Sequence, residues 1–406
     1  MVSKLVREKL KPIVFRSVGI FRNNIKFEYN ALSITIEQQF KPQSSYRNLN
    51  TSTNKLGISP ELDIHILKQR RKEARNAGYY LYPIINNFDN LTTLSIIDSN
   101  IPFTAFADIG RVLPNLNKLE LYKVNLVKSP TDIIVSSDIS FPPNLKCLKI
   151  TFTKVVITDL SDPYKYLFNK NNENYSYERF LLPKHSLYFL KHLQYVPSDR
   201  LNNNDASHEL EEFLEINPGL ESLCVEFYNL KMDSGLNSLK FLRTDESVCF
   251  NSIANVSSLN SINTLIFNLH TVENTANFSK LCILCNNLVE LRLFNFAIID
   301  SQVLIDDFIT PVIPNLLKLK ILQISGIHNN QSPKIFDFTK FTQIEELILH
   351  GFGSISDMKF DSCKSLKRLE FAFSDDDNSD KFMKKLNSYG GWTFKYKDHR
   401  FYGIKN

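Results

Sequence analysis

Apolar side chains recur along this chain in one short phrase: an apolar residue, two of any kind, a second apolar residue, one of any kind, and a third. The phrase stands at Leu91-Leu94-Ile96, Leu116-Leu119-Leu121, Leu145-Leu148-Ile150, Leu190-Leu193-Tyr195 and Leu220-Leu223-Val225. It returns at Ile262-Leu265-Phe267, Leu288-Leu291-Leu293, Leu316-Leu319-Ile321, Ile344-Leu347-Leu349 and Leu366-Leu369-Phe371. Seven of the nine separations between first positions fall between 22 and 30 residues, which is a repeat period. The last two apolar positions alternate as in a strand, so they point to the same side. A returning segment follows, with apolar residues at helical spacing in Phe103–Leu113, Val272–Cys285 and Gln302–Ile313, the last through Val303, Leu304, Phe308 and Val312. Two gaps are wide. The first holds a polar, tyrosine-rich stretch with Tyr164, Tyr166, Tyr175 and Tyr177, read as a loop inserted at about residues 160–186. The second leaves room for a shortened strand at Leu236-Leu239-Phe241. The alternation Trp392-Phe394-Tyr396 reads as a closing strand.

A phrase of this form at this period is the signature of a leucine-rich repeat. The expected fold class is therefore an α/β leucine-rich-repeat solenoid: a curved parallel sheet with helices or irregular turns on the convex side. A second signature accompanies the first. Pro-Asn-Leu opens the phrase at Pro114, Pro143 and Pro314, and Pro218 is followed by Gly219-Leu220. Cysteine takes a neighbouring slot at Cys285 and Cys363. Over residues 85–373 this resembles the cysteine-containing leucine-rich repeats of F-box proteins. The start, with Val2-Ser3-Lys4, Arg7, Leu10, Pro12 and Phe15-Arg16-Ser17-Val18, resembles the tail of a fungal F-box. The front of the F-box, a Leu-Pro-x-Glu segment and its first helices, is missing, so either the chain begins late or ligase docking has been lost. A mitochondrial presequence is the rival reading of this basic start, set aside because Pro12 interrupts the helix. The resemblance implies a substrate-recognition component of an SCF-type ubiquitin ligase, with the F-box-binding adaptor as one partner and a protein substrate on the concave face. The alternative is a ligase-independent scaffold. A GTPase-activating protein of the leucine-rich-repeat kind fits less well, since its repeats are more regular.

The expected organisation is a remnant F-box tail and first strand at 1–40, a polar loop and basic helix at 41–84, the repeat array at 85–373 and a cap at 374–406. The basic helix, Glu61–Ala77, carries Lys68, Arg70, Arg71, Lys72 and Arg75; it reads as a solvated face. Of the 406 residues 43% are apolar and 22% charged, which places the chain among folded proteins. A net charge of +5 is too small to argue for nucleic acid by itself, and none is expected as a partner. No stretch is long and apolar enough for a membrane span, and the six cysteines are scattered through apolar patterns. An intracellular location, cytoplasm or nucleus, is the expectation.

Catalysis finds no support in the pattern. There is no phosphate-cradling glycine loop or nucleophile elbow, and the histidines are dispersed. Cys282 and Cys285 form a C-x-x-C, but no second pair is near and the repeat accounts for both as core. The acids Asp375, Asp376, Asp377 and Asp380 lack calcium-loop spacing. No enzyme activity, cofactor or metal is expected. Residues between the core positions of each strand face outward. One outward row reads Glu290, Lys318, Glu346, Arg368 and suggests a cross-strand ion-pair ladder. In the next row Arg292 and Lys320 would lie side by side as like charges. With the aromatic and aliphatic residues around them they define a candidate partner-binding patch: Arg292, Phe294, Lys320, Leu322, Ile348 and His350.

Overall fold

The computed structural model describes residues 17–21, 24–29, 32–37, 90–159, 175–198, 209–228, 230, 236–245, 247–248, 259–270, 275–295, 309–326, 334–338, 341–352, 355–359, 363–373, 383–384 and 386–406. The basic segment before Ser17, the polar stretch 42–60, the helix expected at Glu61–Ala77 and the acids from Asp375 to Asp380 lie outside these residues. The chain forms two compact units, Met1–Asn217 and Pro218–Asn406.

The first unit contains β1 (Ser17–Phe21), β2 (Asn24–Tyr29), β3 (Leu32–Glu37), β4 (Thr93–Ile97), β5 (Asn100–Pro102), β6 (Lys118–Tyr122), β7 (Asn125–Lys128), β8 (Cys147–Thr151), β9 (Lys154–Thr158), β10 (Tyr175–Arg179) and β11 (His192–Val196). Its main sheet runs β11-β8-β6-β4-β1-β2-β3. The strands from β11 to β1 are parallel, and β1, β2 and β3 close the end as an antiparallel meander. The phrases supply the parallel strands: Leu94, Ile96, Leu119, Leu121, Leu148 and Ile150 are all buried, with outward residues between them. Tyr195 also enters the core. Its hydroxyl stays satisfied there by the Phe180 carbonyl at 3.0 Å, by Arg179 Nε at 3.3 Å and by the Glu209 carboxylate.

The returning segments hold a second sheet, β10-β9-β7-β5, as well as the expected helical turns Phe103–Ala107 and Ile109–Val112. Apolar residues such as Leu126, Val127, Val155 and Val156 are buried in it. The stretch read as an inserted loop is thus partly a strand. Tyr175 and Tyr177 alternate along β10, which pairs antiparallel with β9, and Lys154 Nζ lies 3.4 Å from the Tyr177 ring centroid. Asp98, Lys123 and Phe152 end successive strands in the left-handed region, at φ 49°, 55° and 51°. Each donates its N–H to the next strand, to Tyr122, Thr151 and Val196 at 2.8 Å.

The second unit contains β12 (Ser222–Val225), β13 (Phe241–Asp245), β14 (Thr264–Leu269), β15 (Glu290–Asn295), β16 (Ile321–Gly326), β17 (Lys334–Asp337), β18 (Glu346–Phe352), β19 (Ile355–Lys359), β20 (Arg368–Phe373), β21 (Trp392–Lys397) and β22 (Arg400–Lys405). Its main sheet runs β12-β13-β14-β15-β16-β18-β20-β22-β21. It is parallel as far as β20, and the last hairpin is antiparallel. Trp392–Lys397 therefore closes the sheet as expected, but through β22, which pattern reading missed. The helix Thr275–Leu284 returns from β14 to β15, as Val272–Cys285 anticipates. Of the segment Gln302–Ile313, the described end is one turn at Thr310–Val312, with Val312 buried.

A second ladder precedes the strands. The carbonyl of the residue just before each strand accepts two N–H groups of the next repeat. Glu221, Lys240, Asn263, Val289, Lys320 and Glu345 all do this, at 2.8–3.1 Å. An apolar or cysteine residue three positions before the leading leucine is buried as well: Leu259, Cys285, Leu316, Phe341 and Cys363. Its carbonyl accepts the N–H of the leading residue, as from Leu288 to Cys285 and from Leu319 to Leu316.

That extra slot corrects the register at two places. The core residues of β16 are Leu322 and Ile324, led by Leu319; those of β13 are Leu242 and Thr244, led by Leu239. The phrases at Leu316-Leu319-Ile321 and Leu236-Leu239-Phe241 are displaced by three residues. Apolar residues stand at every third position in both segments, so two phrases overlap, and Pro314-Asn315 occupies an earlier turn.

Candidate functional site

The outward face of the second unit's parallel sheet carries the residues in question. Its middle row runs Cys224, Arg243, Ile266, Arg292, Gln323, Ile348, Glu370, Tyr402. The row beside it runs Ser222, Phe241, Thr264, Glu290, Ile321, Glu346, Arg368. Of the six residues picked from sequence, Arg292, Phe294, Ile348 and His350 lie on this face. Leu322 does not: it is in the core with no exposed surface. Lys320 sits before β16, where its ammonium pairs with Glu345 at 2.9 Å. No like-charge pair forms, because the cross-strand neighbour of Arg292 is Gln323.

Ile266, which the repeat pattern already places outward, fills the same face with two side chains that the pattern assigns to the core, Phe241 and Ile321. Phe241, Ile266 and Ile321 are half-buried outward residues. The neglected signal was the buried slot before each leading leucine, which moves Phe241 and Ile321 outward.

Charges on the face are matched within it. Arg243 pairs with Glu226 at 2.7 Å, Arg292 Nε bonds Glu290 at 2.6 Å, and Arg368 meets Glu346 at 2.6 Å. Glu370 bridges His350 at 2.9 Å and Arg400 at 2.8 Å, and that carboxylate raises the Arg400 guanidinium. Of the expected ladder only Glu346–Arg368 forms, because Lys318 lies in a turn and bonds Asn287 at 2.6 Å. Most of the ladder runs one position earlier, through Glu221–Lys240 at 2.9 Å and Lys320–Glu345–Lys367 at 2.9 and 2.7 Å. Two lysines on Glu345 hold its carboxyl down to about 2.

Cys282 and Cys285 lie fully inside the apolar core. Burial pushes both thiols up, Cys285 to about 12, away from the thiolate a metal or redox site requires. Among the described residues no three of His, Cys, Asp and Glu are grouped to hold a metal ion, and no helix is long and apolar enough to cross a membrane.

No protein-family model matches the chain, and no curated protein matches it. Among solved structures it is similar, at 12% identity and a TM-score of 0.32, to a chain of the Toll–Spatzle complex of Drosophila, described as a molecular hub in development and innate immunity. The match covers 75% of this chain and 42% of that one. Among the described residues, the sheets and their rows define a mostly parallel α/β fold with few helices and a charge-matched, partly apolar face.

Proposed function

We propose that the chain is a leucine-rich-repeat solenoid that binds another protein through the outward face of its second unit. Its place is that of a substrate-recognition component of an SCF-type ubiquitin ligase. One observation carries the binding reading. Ile266, Phe241 and Ile321 stand between ion pairs closed within the sheet, so the face offers apolar contact without stranding a charge on burial. The ligase reading rests on the likeness of the N-terminal run and the cysteine slots to F-box proteins.

The test is affinity purification of the tagged chain from its own cells, beside an Ile266→Glu, Ile321→Glu variant, with mass spectrometry scored for the F-box-binding adaptor and cullin. Stoichiometric adaptor and cullin, with a further protein lost from the variant, is the expected result. Partners without adaptor or cullin would leave the scaffold reading in its place. Partners unchanged by the variant would remove the face from the account.

A further inference from the structure

The turns before the strands of the first unit differ from those of the second. In the second unit the residues just before the strands zip into the ion pairs around Glu221 and Glu345. In the first unit the corresponding residues are Thr92, Asn117, Lys146 and Lys191, and the first three line an open hollow of about 510 Å³. A parallel column lies beside them. Asn90, Asn115 and Asn144 each stand immediately before a leading leucine, and Phe189 holds the same place before Leu190. Neighbouring strands are about 4.8 Å apart, so this edge repeats a carboxamide at each strand and ends on an aromatic ring. Phe189 is 54% exposed and Tyr188 beside it 88%.

The chemistry of the lining is narrow. Among the described residues it contains no carboxylate, and Lys146 is its one cation. Asn144 Nδ2 donates to the Pro114 carbonyl at 3.3 Å, which orients that amide and leaves its Oδ1 as an acceptor. A carboxamide supplies a donor and an acceptor together, the pair that each peptide unit of a main chain also supplies. An extended polypeptide repeats this pair along its length.

We infer that this hollow holds an extended peptide segment of a protein partner: main chain on the asparagine carboxamides, an apolar side chain against Phe189, and an acidic side chain at Lys146. This site rests on the protein-binding reading above but on a different surface, and it adds a linear determinant to whatever docks on the outward face.

The probe is a phage-displayed library of random 12-residue peptides selected on the full chain, with the best peptide then labelled and measured by fluorescence anisotropy. Enrichment of peptides combining acidic and apolar residues is expected, with affinity falling at least tenfold in Asn117→Leu and in Phe189→Ala. Both positions are at the surface, and thermal melts of the variants check that they remain folded. Arg292→Ala should leave the affinity unchanged. Failure to enrich any peptide over an Asn117→Leu, Phe189→Ala double variant would overturn the inference. So would affinity lost in Arg292→Ala but kept in the two hollow variants; that result would move the peptide to the outward face and leave the protein-binding reading standing.

Discussion

Arg292 lies opposite Gln323, while Lys320, three residues earlier, is tied to Glu345. This relationship decides which side chains of the segment Leu316–Ile324 are core. Leu316, Leu319 and Leu322 are all buried, the first in the turn and the last in the strand, while Leu317 is 80% exposed.

The register can be read from stability. Leu322→Ala should cost about 2–5 kcal/mol, as for a fully buried leucine, whereas Leu317→Ala should change stability by no more than about 0.5 kcal/mol. Urea unfolding of the two variants measures this. Equal losses would return the strand to the displaced register.

The ion-pair ladder makes stability depend on pH and salt. Glu345 has a carboxyl lower in the folded chain than its ordinary value of 4.5. Such a group stabilises the fold above that ordinary value, and the contribution is lost as pH falls toward about 2. Glu345→Gln should therefore lower the melting temperature at pH 7, with the difference shrinking toward pH 2.5 and in about 1 M salt, where exposed pairs are screened. A difference independent of both would assign the loss to packing.

Two glycines hold places that side chains cannot. Gly351 has φ +74°, and a Cβ there would run into the Gly326 carbonyl of the adjacent strand. In the closing hairpin, a Cβ on Gly403 would meet the Phe394 ring. Backbone cannot swing aside as a ring can, so Gly351→Ala should lower the melting temperature more than Gly403→Ala. The reverse order in thermal melts would contradict the packing.

Asn268 is 1% exposed, and among the described residues neither atom of its amide has a hydrogen-bond partner. An unmade buried bond costs about 1–3 kcal/mol. Asn268→Leu, of similar volume, should raise the urea midpoint; a lower midpoint would mean that the amide is satisfied in solution.

The two core cysteines should be inert. At pH 8 iodoacetamide should modify Cys282 and Cys285 in the native chain far more slowly than half-buried Cys224, and all three alike in urea. Peptide mass spectrometry gives the rates.

Much of this architecture is legible in the amino-acid sequence. Phrases such as Leu119-Leu121 and Leu291-Leu293 declare strands because alternation with a fixed period has one economical solution, a stack of parallel strands. Arg292, Phe294, Ile348 and His350 could be assigned outward because each alternates with unambiguous core leucines. Tertiary structure alone decided the rest. Where apolar residues fall at every third position, as in Leu316–Leu322 and Leu236–Leu242, local pattern fits two registers equally, and only the carbonyl ladder from Val289 to Lys320 to Glu345 selects one. The second sheet was hidden for a similar reason. Runs such as Val155-Val156 are too short to show a period, and they become strands by pairing with β7 across long stretches of sequence. Pattern determines which residues prefer the interior; partners brought in from elsewhere in the chain determine which neighbour each one meets there.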